Sequence, residues 1–230
     1  MDSDTKASSD RPRLATRKRD LVRTTILDAA ESLLSRKDVH DFSMKELAAE
    51  AGMALTTAFA HFGSKGGVMR AIADRLIKQI ADEYSTRPRL DDAIDRLLAM
   101  ANIGVDLITS RAAQNRVVCS HVLVSTEDHS GAGLRVPTAQ LWKLAIDDSN
   151  LFGGNGTAEF QQTFTFQLAV MFRGALAIWI GEELSDEQFR TLVTNGIIFS
   201  TLGFVAKTRR EALVQRIVPF NLPSAALLRA

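Results

Sequence analysis

Apolar residues recur every three or four positions along nearly the whole chain, and in no stretch do they alternate with polar ones long enough to line a sheet. The fold class expected is all-α. Val22, Ile26, Ala29, Ala30, Leu33 and Leu34 give a first amphipathic helix from about Asp20 to about Arg36. Ser43 stands where a hydroxyl caps the free amides of a second helix, Met44 to Ala51, and Glu46 completes a capping box. Gly52 follows at once, and glycine takes up the left-handed conformation that ends a helix at little cost. Met53 to Phe62 forms a third short helix. Its spacing turns Met53, Ala58 and Phe62 inward and leaves Leu55, Thr56, Phe59, Ala60 and His61 facing outward or sideways. Three helices with a tight glycine turn between the second and third make a helix-turn-helix.

Ser64 then caps a long fourth helix in which Val68, Ile72, Leu76, Ile80 and Tyr84 recur every four residues. Further helices are expected near Leu90–Ser110, Ala112–Ser125, Pro137–Asp147, Ala158–Glu182, Asp186–Lys207 and Arg209–Ile217, with glycine-bearing turns at 128–135 and 153–156. Phe164 to Ile180 is apolar on every face, and Gly196 to Ala206 nearly so. Gln167 and Arg173 interrupt the first run, and the second falls short of the roughly 20 residues a bilayer requires, so no membrane span is expected. Surplus apolar surface on two successive helices points to a homodimer through the two long helices within 158–207, where Gly174, Gly196 and Gly203 allow helix axes to approach.

The net charge of +1 excludes a strong overall positive field, but its distribution is uneven. Arg11, Arg13, Arg17, Lys18, Arg19 and Arg23 face Asp20 alone between positions 11 and 23. This defines a basic arm, expected to be flexible, over residues 1–20, ahead of a helix-turn-helix domain at 21–66 and a larger helical domain at 67–230. The single cysteine, Cys119, excludes an internal disulfide and no Cys/His cluster has zinc spacing, so no metal or cofactor is expected. The start Met1-Asp2-Ser3-Asp4 carries no apolar run, and the location expected is cytoplasmic.

Thr25 to Ala30, Phe42-Ser-Met-Lys-Glu-Leu-Ala, Ala51-Gly52, Thr57 and His61-Phe62-Gly63-Ser64-Lys65 together resemble the N-terminal domain of the TetR family of bacterial transcriptional regulators. The resemblance covers about residues 21 to 70 and implies a DNA-binding head on a larger helical domain that binds small molecules and dimerises. It implies that double-stranded DNA meets the third helix, with Leu55, Thr56 and Thr57 nearest the base edges and Phe59 alongside. Ser43 and Met44 at the start of the second helix would sit by a phosphate, with His61, Lys65 and the arm residues Arg17, Lys18 and Arg19 as further backbone contacts. The chain departs from the pattern at Ala54-Leu55, where serine followed by a basic residue is common, and at Phe59, where tyrosine is common. Between Gly52 and Phe62 there is no Lys or Arg, so a bidentate arginine–guanine contact is excluded from this helix.

Candidate ligand contacts in the larger domain are Met100, Ile103, Leu107, Cys119, His121, Trp142, Phe164, Met171 and Trp179. They are mostly apolar, which suits an apolar or aromatic effector better than a sugar or a phosphate. No phosphate-cradling glycine loop, His-Glu-x-x-His or Gly-x-Ser-x-Gly is present, and catalysis is not expected. The sequence thus reads as a ligand-responsive repressor binding a palindromic operator as a homodimer; the alternative is a diverged helical interaction protein with weak or no specific DNA binding.

Overall fold

The structure, a computed structural model, describes residues 5–36, 41–124, 135–146, 151–152 and 156–220, and for residues 5–15, 135 and 136 the backbone alone. Apart from Arg135 and Gly156, the two glycine-bearing turns expected at 128–135 and 153–156 lie outside these residues. The described residues form helices α1 (Thr5–Leu34), α2 (Met44–Glu50), α3 (Leu55–Phe62), α4 (Lys65–Thr86), α5 (Ala93–Thr109), α6 (Ala112–Val124), α7 (Arg135–Ile146), α8 (Ala158–Ile180), α9 (Asp186–Thr201) and α10 (Lys207–Val214). No strand occurs among them.

Two expected boundaries are corrected. α1 begins at Thr5, not near Asp20, so Arg17, Lys18 and Arg19 belong to a helix and not to an arm preceding it. Leucine, alanine, arginine and lysine are strong helix formers, and they carry the helix back through the basic segment. α9 stops at Thr201 instead of continuing to Lys207. A 3₁₀ turn at Leu202–Phe204 follows it, and Val205 is extended with φ −108°. The break turns Phe204 into edge-on contact with Phe152, Phe160 and Phe164, with ring centroids 5.2 to 5.7 Å apart.

The chain divides into two compact units, Met1–Ile72 and Ala73–Ala230, and the division falls inside α4. In the first unit, α2 packs on α1 and α3 packs on α2. Its core is made of Ile26, Ala30, Leu33, Leu47, Ala58 and Val68, all buried, with Phe42 at its edge. The turn between α2 and α3 is fixed by backbone hydrogen bonds: the Gly52 amide donates to the Ala49 carbonyl at 3.1 Å and the Met53 amide to that of Ala48 at 2.9 Å. This pattern requires the left-handed conformation that Gly52 adopts, φ +63°. α4 starts beneath Ser64, whose hydroxyl accepts the Gly67 amide at 3.1 Å.

In the second unit, α5 and α7 pack on each other, α8 packs on α6, α7 and α9, and α9 packs on α5. Leu97, Ile103, Leu168, Trp179, Phe189, Val193 and Ile197 form its centre, each fully or almost fully buried. α8 has the length and composition of a membrane span, but Phe164, Leu168, Phe172, Ala175 and Trp179 on its inner side are consumed by this core. The other side of the same helix stays uncovered: Phe166, Val170, Gly174 and Ile178 follow at four-residue spacing and are exposed.

The Gly52 turn can be tested without steric complication, because a Cβ added there meets nothing within 4 Å. Gly52→Ala should destabilise the protein by about 1–2 kcal/mol through its backbone conformation alone. Gly52→Asn, whose side chain tolerates positive φ, should lose less. Chemical denaturation of the three proteins, monitored by circular dichroism, checks the order.

Candidate nucleic-acid interface and cavity

Helix α3 is eight residues long and its N-cap, Ala54, offers no side-chain hydrogen bond, so it depends on its neighbours for stability. Burial of Ala58 at 0% exposure sets its rotation. That orientation leaves Leu55 (41%), Phe59 (45%), Thr56 and Ala60 exposed and Thr57 half-buried. The outer face of α3 therefore offers two methyl-bearing hydroxyls, an aliphatic group and an aromatic ring, and no cation. Such a set supports contacts to thymine methyls and to single acceptors or phosphates, not bidentate reading of guanine.

Arg23 on α1 holds the far end of this helix, a role that the sequence did not reveal. Its Nη1 donates to the His61 carbonyl oxygen at 2.6 Å, and its guanidinium carbon lies 4.4 Å from the centre of the Phe62 ring. In sequence Arg23 is one cation among several in a basic run, and only the fold places it against the end of α3. The His61 ring is half-buried, with no hydrogen-bond partner on Nδ1. Arg17, Lys18 and Arg19 are exposed on α1.

At the start of α2 the expected capping box is complete. The Ser43 hydroxyl accepts the Glu46 amide at 3.2 Å, and the Glu46 carboxylate accepts the Ser43 amide at 2.7 Å. The Ser43 amide, with its hydroxyl second, holds the Glu46 carboxyl below the usual range. An anion from the chain itself already sits at this helix end, beside the expected phosphate position at Ser43 and Met44. Lys45, exposed next to them, adds a cation to this helix end beyond the backbone amides.

Lys65 is paired within the chain. It is not a free cation: its Nζ lies 2.5 Å from the Asp41 carboxylate. Arg36 is likewise paired with Glu50 at 2.5 Å, and Ser32 donates to the same carboxylate at 3.0 Å, which ties the end of α1 to α2.

The second unit contains a cavity with about 60 Å³ of room for the centres of water-sized molecules, several times the roughly 10–15 Å³ that one water needs. Helix α4 contributes Ala73, Leu76, Ile77 and Ile80 to its wall, α5 contributes Met100, Gly104 and Ile108, and α8 contributes Ala169, Phe172, Arg173 and Leu176. Of the ligand contacts expected from sequence, Met100, Cys119 and Trp142 line it.

The other six do not. Ile103 is wholly buried in the core, and Leu107 packs against that core. Trp179 is stacked on Phe189 at 5.5 Å with Arg116 over its ring, and Phe164 belongs to the phenylalanine cluster. Met171 faces Gly196, where a Cβ would come within 2.7 Å of its sulfur. Gly196 therefore serves packing within the chain, whereas an added Cβ at Gly174 or Gly203 meets nothing within 4 Å. His121 is half-buried two residues beyond Cys119, a spacing that sends it to another side of α6. Burial pushes the Cys119 thiol up to about 12, so it is a neutral wall group and not a nucleophile. Among the described residues no three His, Cys, Asp or Glu side chains are grouped as metal ligands.

Comparison with known proteins agrees with this architecture. Residues 26–72 match the family model described as bacterial regulatory proteins, tetR family. Among solved structures, a TetR transcriptional regulator from Rhodococcus sp. RHA1 superposes with a TM-score of 0.66 at 16% identity, over 79% of this chain and 96% of that one. A tetR-family transcriptional regulator from Streptomyces coelicolor gives a TM-score of 0.53 at 19% identity, over 88% of this chain and 93% of that one. At these identities the likeness concerns the fold. No curated protein matches the chain.

The Lys65–Asp41 pair generates a prediction for DNA binding. Asp41→Asn frees the ammonium and should steepen the salt dependence of DNA affinity by about one unit, while Lys65→Ala should leave the slope nearly unchanged or lower it by less than one. Fluorescence anisotropy of a labelled duplex across a salt series measures both slopes.

Proposed function

We propose, for a chain that carries the head of the TetR family of bacterial transcriptional regulators, a homodimeric repressor that binds a palindromic operator and leaves it when an apolar or aromatic molecule occupies the cavity of the larger unit. The observation that carries this reading is the exposed face of α3 within the family-matched segment. Leu55, Thr56 and Phe59 project from a helix anchored by a single buried alanine, the form a reading helix needs to enter a major groove. Thr57, half-buried at the same end, acts with them in this reading. Arg17, Lys18, Arg19 and Lys45 are exposed cations suited to the phosphate backbone, where they position the head without reading sequence.

Two-fold symmetry suits the outer side of α8 and the end of α9. Phe199 is 60% exposed, and Phe166, Val170 and Ile178 are each about two-fifths exposed. Gly174 and Gly203 offer open backbone in the same two segments. Two such surfaces bury one another in a C2 pair, and half-sites then lie about 34–36 Å apart or a multiple of it. The effector reading rests on the cavity wall. Ala73, Leu76, Ile77 and Ile80 belong to α4, whose first turn includes Lys65, and a ligand that favours one setting of that helix over another shifts the population of DNA-binding states.

Footprinting on DNA upstream of the gene should reveal a protected palindrome. Thr57→Ala should lower affinity for that site more than for random duplex; equal losses on both would assign Thr57 to the backbone. Protection nowhere in genomic DNA at low salt would favour the interaction-protein alternative.

Phe199→Glu should convert a dimer at micromolar concentration into a monomer while the far-ultraviolet spectrum stays native, because the side chain has little burial to lose within one copy. Sedimentation equilibrium decides it; an unchanged dimer would place the interface elsewhere.

A further inference from the structure

Among the described residues, four buried nitrogens have no hydrogen-bond partner: His61 Nδ1, Arg116 Nε, Arg209 Nε and Trp142 Nε1. The two arginines engage carboxylates through their other nitrogens, Arg116 with Glu182 and Arg209 with Asp92 and Asp95. His61 lies in the head. Trp142 differs from all three, because it is 2% exposed and stands on the wall of the cavity. The other indole of the chain gives a direct contrast: Trp179 Nε1 donates to the Asp186 carboxylate at 2.7 Å.

A buried N–H needs an acceptor, and a phenylalanine would fill the same place without that need. We propose that the cavity takes an uncharged, mainly apolar molecule, and that this molecule carries a hydrogen-bond acceptor for the indole N–H of Trp142. The proposal deepens the effector reading above and rests on it.

The rest of the wall argues for a neutral ligand. Phe172 stands edge-on to Trp142 with ring centroids 5.9 Å apart, and Leu76, Ile80, Met100 and Leu141 surround them. These groups offer a ring dispersion contact and no compensation for a desolvated charge. The Cys119 thiol stays protonated, so it neither attracts a cation nor supplies a nucleophile. Arg173 also lines the wall, and its guanidinium donates through Nη2 to the Leu123 carbonyl at 3.2 Å, a bond that leaves its charge in place, so a charged compound belongs in the test. One neutral acceptor against one unmatched donor is the combination that leaves no polar group stranded.

The test uses the full chain and three small molecules of similar size: acetophenone, which has a carbonyl acceptor; isopropylbenzene, which has none; and benzoate, which is charged. Titration calorimetry measures their affinities for the wild-type protein and for Trp142→Phe. The wild type should bind acetophenone and isopropylbenzene. Trp142→Phe should weaken acetophenone by about three- to tenfold, the range of one hydrogen bond, while isopropylbenzene changes less than twofold.

A second measurement on the wild type needs no variant. Of the two indole N–H resonances in an ¹⁵N spectrum, one should move downfield with acetophenone and not with isopropylbenzene, and the resonance of Trp179 should stay in place. Equal behaviour of the two neutral compounds in both measurements would overturn the hydrogen bond and leave the cavity as an effector site. Tighter binding of benzoate than of acetophenone would overturn the neutral-ligand claim. Binding of none of the three would overturn the effector reading itself.

Discussion

Ala58 is the point on which the head depends. Helix α3 is too short to hold itself in water and lacks a side-chain cap, so its place comes from a buried methyl, a glycine turn before it and an arginine clasp at its end. Rotation about the helix axis is fixed by which residue is buried, and with Ala58 inside, Leu55, Thr56 and Phe59 can only face outward. Any reading of a DNA sequence by this chain passes through that one orientation. Arg23 makes the arrangement stiffer by bonding the His61 carbonyl of α3 and covering Phe62, so a cation that resembles a phosphate contact in sequence works as a structural brace.

The charges of the head are more committed than their count suggests. Lys65 neutralises Asp41, Arg36 neutralises Glu50, and Glu46 occupies the amide end of α2. Exposed ion pairs of this kind contribute little to stability, but they decide which cations a phosphate meets unopposed. Arg17, Lys18, Arg19 and Lys45 remain on the surface, on α1 and α2 and not on α3. Exposed cations thus lie on two helices and the neutral groups of the outer face on a third.

The larger unit spends its apolar residues in two ways. The inner side of α8 packs with α6, α7 and α9, and its outer row of Phe166, Val170, Gly174 and Ile178 stays uncovered. Within the same unit a cavity lies among the helices, and Trp142 on its wall has an Nε1 without a hydrogen-bond partner. Interiors are normally filled and polar atoms normally paired, and the surroundings of Trp142 depart from both tendencies.

Periodicity and caps made most of the helices legible, because a 3.6-residue repeat and a hydroxyl facing free amides act over one or two turns and need no distant partner. Ser43 with Glu46, Gly52, Ser64 and the inward Ala58 were all readable for that reason. The cavity wall was not: of nine apolar or weakly polar candidates, Met100, Cys119 and Trp142 line it, since burial in a core and burial on a cavity wall leave the same mark on composition. The end of α9 was equally hidden, because Phe204 turns away to join three rings contributed by other segments. By itself the sequence determined the fold class, the helix-turn-helix and the neutral character of α3, all of them consequences of local spacing and side-chain chemistry. The tertiary structure decided which cations are free, which glycine serves packing and where the empty space lies, because pairing and voids depend on residues far apart in the chain meeting in space.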